Sequence, residues 1–103
     1  MKPIVLHPAA EAEMRAAAGY YQECQSGLGG RFLDEISLAG GRITQNPAAW
    51  PAIFGPIRRC LLNRFPFGLI FRIEADGIYV LAVMHLRREP NYWRNRAEKE
   101  LSG

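Results

Sequence analysis

Side chains able to bind anions or move protons crowd into the second half of this sequence. Arg58, Arg64, His85, Arg87, Arg88, Tyr92 and Arg96 fall near the ends of segments with strand-like alternation, or just beyond them. A histidine among several guanidinium groups has the parts for phosphodiester cleavage: the arginines stabilise developing negative charge, and His85 or Tyr92 carries a proton. Each also has an ordinary structural reading. His85 suits a hydrogen bond at a strand end, while Tyr92 and Trp93 suit packing of a terminal helix against a sheet. His7, in the first apolar run, is assigned no role. No phosphate-cradling glycine loop, metal-binding helix or nucleophile elbow occurs, because Gly27-Leu28-Gly29-Gly30 follows no strand and only separates two helical patterns. Neither a cofactor nor a metal is expected.

The charge is unevenly spread. Residues 1 to 55 carry four basic and five acidic side chains, whereas 56 to 96 carry eight arginines against Glu74, Asp76 and Glu89. Only Lys2 and Lys99 are lysines, so the positive surface is almost wholly guanidinium, suited to bidentate pairing with carboxylate or phosphate. Such a surface fits an acidic protein partner or a nucleic acid, and Arg58, Arg59, Arg72, Arg87 and Arg88, with Trp93, are the candidate partner-binding residues.

The elements that must position these groups follow from periodicity. Pro3 to His7 reads as a first strand, and from Pro8 the residues Ala10, Met14, Ala17, Tyr21 and Cys24 recur at helical spacing. After the break at 26–30, Phe32, Ile36, Ala39 and Ile43 form a second helical stripe that stops at Asn46-Pro47. So short a glycine turn predicts an antiparallel helical hairpin. Trp50 lies in a proline-bounded loop and is expected to close one end of the core. The period then becomes two: Ile57 to Arg64 and Phe67 to Glu74 read as strands, and Asp76-Gly77 signals a hairpin into Ile78 to His85, a central strand with Ile78, Val80, Ala82 and Met84 on one face. Asn91 to Glu100 allows a short, mostly polar terminal helix. The fold class expected is α+β, a helical hairpin packed on a small antiparallel sheet in the order strand-helix-helix-strand-strand-strand.

At 103 residues the chain predicts one domain, 1–103, with one modest core. No apolar run approaches the roughly 20 residues of a membrane span, and the first residues lack the apolar core of a signal peptide, so a cytoplasmic location without membrane partners is expected. Cys24 and Cys60 lack metal-site or disulfide spacing and are expected to be buried free thiols.

Several of these features, taken in order, resemble one family. They are Tyr20-Tyr21, the Gly27-Leu28-Gly29 turn followed by Arg31-Phe32, Trp50-Pro51, Arg64-Phe65-Pro66-Phe67 with Ile70-Phe71, and Leu81-Ala82-Val83-Met84-His85 followed by Arg88-Glu89-Pro90-Asn91-Tyr92-Trp93. Together they look like the ParE/RelE toxin superfamily and span nearly the whole chain. The resemblance implies a compact toxin encoded beside its antitoxin, neutralised when an antitoxin segment wraps it in a hetero-oligomer, and often associated with plasmid stabilisation. RelE-like members cut messenger RNA on the ribosome, using basic residues on the sheet and a terminal Tyr or His. That reading would make Arg64, His85 and Tyr92 catalytic. ParE-like members instead poison DNA gyrase without that set. The lysines of several RelE-like enzymes have no counterpart here, and the helical-hairpin and Arg-Phe-Pro-Phe signatures are more similar to ParE. A gyrase inhibitor, a ribosome-dependent endoribonuclease and a non-toxic basic interaction domain remain open at this point.

Overall fold

The computed structural model describes residues 3–97. A short strand, β1 (Ile4–Leu6), leads into α1 (Pro8–Cys24) and α2 (Leu28–Gln45). Pro8 occupies the first turn of α1, and His7 caps it by accepting the Ala9 N–H on Nδ1 at 3.0 Å. The turn between the helices is shorter than the glycine run suggested. Only Gln25 to Gly27 lie outside the helices, with Gly27 at φ 88°, and Gly29 and Gly30 already belong to α2. Gly27 offers no side-chain cap, so the Gln22 carboxamide oxygen accepts the Gly27 and Gly29 N–H groups at 3.1 and 3.3 Å. Gly29 serves a close helix crossing, because a Cβ there would lie 2.6 Å from the Ala18 carbonyl oxygen.

After a 3-10 turn at Pro47–Ala49, the chain runs through β2 (Ala52–Phe54), β3 (Ile57–Leu61), β4 (Phe67–Glu74) and β5 (Gly77–His85). The order across the sheet is β1-β5-β4-β3-β2. Strands β2 to β5 form the antiparallel meander, while β1 returns to the far edge and pairs parallel with β5, so the sheet is mixed. Three expectations about the strands need correcting. No strand is expected between α2 and Ile57, yet the three-residue β2 pairs with β3 at Ala52 and Phe54, being too short to show an alternation in the sequence. β3 stops at Leu61 rather than Arg64 because 62–66 turns back, with Arg64 in the left-handed region at φ 71°. The alternation of β5 is also broken: Ile70 pairs with Ala82 but Phe71 with Val80, leaving Leu81 as an extra residue.

That bulge decides which side chains meet. Ile78, Val80 and Val83 face the helical hairpin with Phe32, Ala39, Ile43, Cys60, Leu69 and Phe71, and Ile36 and Trp50 are partly buried against them. Leu81, Ala82 and Met84 instead face the other side, with Ile57, Ile70, Trp93 and Ala97. Ala82 therefore does not join the hairpin core as its phase with Val80 suggested. The second face is covered by the C-terminal segment, where turns at 91–93 precede helix at 94–97. Trp93 is 1% exposed, so this segment is less polar in function than in composition. The rest of the expected terminal helix, 98–100, lies outside the described residues. Cys60 is buried, but Cys24, the last residue of α1, is exposed.

Candidate functional site

One polar cluster ties α1, β5 and the C-terminal segment together. β1 ends opposite Val80, and side chains close the edge of β5 beyond it. Arg96 Nη1 donates to the Leu81 carbonyl at 2.9 Å, and the Val83 N–H donates to Glu13 Oε1 at 3.1 Å. Glu13 also accepts from Arg96 through both terminal nitrogens, at 3.0 and 2.9 Å, and from Arg88 at 3.2 Å. Arg88 stacks on the Tyr92 ring with its guanidinium carbon 3.7 Å from the centroid, and Arg96 lies 5.0 Å from the same ring. The Tyr92 hydroxyl is buried near the Glu13 carboxylate. Burial first, and then the nearby Glu13 carboxylate, raise its pKa well above the ordinary phenol range. Glu13 was not singled out in the sequence. Its signal was its place beside the apolar stripe, one turn from Ala10 and Ala17, where an acidic side chain reads as solvent-facing.

The other residues with possible chemistry lie elsewhere. His85 ends β5, its Nδ1 accepting the Arg87 N–H at 3.0 Å and its ring edge-on to Phe67 at 5.0 Å. It lines a cleft with Glu13, Tyr20 and Arg88. Arg64 is exposed in the β3–β4 turn and lines a different cleft with Arg31, Asp34 and Glu35; the two clefts share Tyr21 in their walls. Tyr92 lines neither. The meander brings the end of β5 beside the β3–β4 turn, with the Leu86 N–H donating to the Pro66 carbonyl at 2.9 Å, but His85 and Arg64 line different clefts. The left-handed backbone at Arg64 has its own consequence. Arg64→Val should cost about 1 to 2 kcal/mol more stability than Arg64→Gly in parallel urea titrations, because a β-branched residue resists positive φ and glycine does not.

Most of the second-half arginines are engaged inside the chain. Arg58 donates to the carbonyls of Ala48, at 3.2 Å, and of Trp50, fixing the loop before β2. Arg72 pairs with Glu74 at 2.9 Å and stacks on Tyr79. Arg94 lies over the Phe54 ring at 3.9 Å, beside Trp93. Arg87 is exposed beyond β5. Arg59 lines an open cleft of about 460 Å³ with Arg42, Trp50, Pro51, Leu61 and Asn63.

Comparison with known proteins agrees with this architecture. A search of the curated proteins by sequence finds no match. Among solved structures, the fold is similar to one described as the chromosomal ParDE TA system from P. aeruginosa, with a TM-score of 0.68 and 19% identity over 84% of this chain and 98% of that one. No helix among the described residues is long and apolar enough to cross a membrane. A family model described as the ParE toxin of type II toxin-antitoxin system, parDE, matches residues 4–90, and the chain belongs to that family.

Proposed function

We propose that this toxin acts in the cytoplasm by binding DNA gyrase, without a catalytic step of its own, and that an acidic antitoxin segment neutralises it in a hetero-oligomer. One observation supports the non-catalytic reading: Arg64, His85 and Tyr92 do not line a common cleft. A ribonuclease needs a charge-stabilising group and a proton carrier within reach of one phosphate, and the guanidinium that shares the His85 cleft, Arg88, is already paired with Glu13 and stacked on Tyr92. Tyr92 is also poorly matched to proton transfer near neutral pH, since its pKa is raised and its hydroxyl is buried. Family membership supports the antitoxin, and the ParE-like signatures noted above support gyrase over the ribosome.

The test is induction of the chain and of its Arg64→Ala and His85→Ala variants in growing cells. All three should arrest growth, with filamentous cells, DNA damage signalling and intact messages. A ribonuclease would instead stop protein synthesis at once with cleaved messages, and His85→Ala would abolish toxicity, since losing such a group typically costs about a hundredfold or more in rate. Co-expression of the neighbouring gene tests the antitoxin. It should restore growth and co-purify with this chain, and a chain that purifies alone from healthy cells contradicts the reading.

A further inference from the structure

We infer that the cleft formed by Arg42, Trp50, Pro51, Arg59, Leu61 and Asn63 is a carboxylate-binding site that takes an acidic side chain from a partner's peptide segment. Arg42, Arg59 and Asn63 are its polar lining residues, and no carboxylate residue lines it. The other cleft holding two arginines, around Arg64, also contains Asp34 and Glu35 and has no such bias. Arg42 places one terminal nitrogen on the Leu61 carbonyl at 3.2 Å and also interacts with the Cys60 thiol, which fixes its planar fork beside the cleft. No hydrogen bond or ion pair from the Arg59 side chain occurs among the described residues. Trp50 contributes a wall of the cleft, with its indole N–H buried.

The wall carrying Trp50 is held in place by Arg58, whose guanidinium bonds the loop carbonyls, so the cleft is largely formed before anything binds. Leu61, 46% exposed, offers apolar contact to residues flanking the acidic one. The C-terminal dipole of α2 opposes an anion here. It is screened at the surface and fades within the last turn, so it is the smaller effect beside two charge-assisted contacts.

A nucleic acid is the poorer occupant. A backbone track needs a row of free cations, each neutralising a phosphate. Arg58, Arg72, Arg88, Arg94 and Arg96 are committed to partners within the chain. A single cleft that accepts one bidentate anion suits Asp or Glu on a peptide. That the peptide belongs to an antitoxin rests on the proposed function. Binding of a short probe peptide does not depend on what the toxin poisons, so the two readings fail separately.

The experiment uses the full chain labelled with nitrogen-15, whose two tryptophans give two indole N–H signals, assigned with Trp50→Phe. Probes are acetyl-Leu-Glu-Leu-amide, its Leu-Gln-Leu counterpart, inorganic phosphate and a short DNA duplex. The Glu peptide should shift the Trp50 signal and leave that of Trp93 in place. Gln in its place should remove the shift, and Arg59→Ala should weaken binding about tenfold, as expected for a lost charge-assisted hydrogen bond. Should Arg59→Ala disturb the fold, Arg59→Lys keeps the charge, removes the fork and should weaken binding by a smaller factor. Equal shifts with Glu and Gln peptides, no shift with either, or unchanged binding in both Arg59 variants overturns the site. A phosphate or duplex that shifts Trp50 at lower concentration than the Glu peptide overturns the peptide as its occupant.

Discussion

Replacing Glu13 with alanine is expected to destabilise the protein by about 3 kcal/mol. Glu13 and Arg96 each keep only 14% of their side-chain surface exposed, so solvent screens them weakly. Removing the carboxylate leaves the Arg96 charge enclosed without its main counter-ion and the Val83 N–H without an acceptor. A small domain is stable by only about 5 to 15 kcal/mol, so the loss is a large part of the total. Glu13→Gln should cost less, because its amide oxygen can still accept from Val83. The C-terminal segment should loosen first, since Arg96 is its polar anchor. Urea denaturation gives the magnitude, and a red shift of Trp93 emission at low urea, recorded in a Trp50→Phe background, gives the order of events. A loss below about 1 kcal/mol would mean that the cluster is a solvated surface pairing of the kind that contributes little.

Phe32→Ala should be as damaging, at roughly 3 to 5 kcal/mol. Phe32 is fully buried where the hairpin meets the sheet, with Tyr21, Phe65 and Phe67 rings at centroid distances of 5.4, 5.3 and 5.0 Å. Truncation removes transfer free energy, the edge-to-face contacts with Phe65 and Phe67 and the tilted contact with Tyr21, and leaves a cavity that a rigid helix crossing at Gly29 cannot close. Phe32→Leu should retain most of the stability. If both variants melt with the parent protein, the ring cluster does not hold the hairpin to the sheet and the packing described here is wrong.

The helical hairpin was readable because Ala10, Met14, Ala17 and Tyr21, and then Phe32, Ile36, Ala39 and Ile43, keep one stripe through each helix, and both stripes face the sheet. β4 and β5 were readable from alternation and from Asp76-Gly77, and β4 spans Phe67–Glu74 as expected. Alternation cannot reveal a bulge: Leu81, Ala82 and Val83 are all apolar, so shifting phase at Leu81 leaves the pattern looking unbroken while Ala82 changes face. The pairing of β1 with β5 is non-local and leaves no mark on either segment. Composition showed that arginines were plentiful after residue 55, but not that most of them are occupied within the chain. Whether Arg58 meets a partner or the Trp50 carbonyl depends on how a distant loop folds back. Glu13 was obscured for the same reason, since its partners Val83, Arg88 and Arg96 lie more than half the chain away.

The claim that this toxin works by binding gyrase is tested most directly with purified components. The chain, freed of its antitoxin, is titrated into a DNA gyrase supercoiling reaction and, in parallel, into a translating ribosome reaction programmed with a defined message. The account predicts loss of supercoiling with accumulation of cleaved DNA–gyrase complex, unchanged by His85→Ala, and an intact message in the ribosome reaction. Unimpaired supercoiling together with message cleavage that His85→Ala abolishes would contradict it.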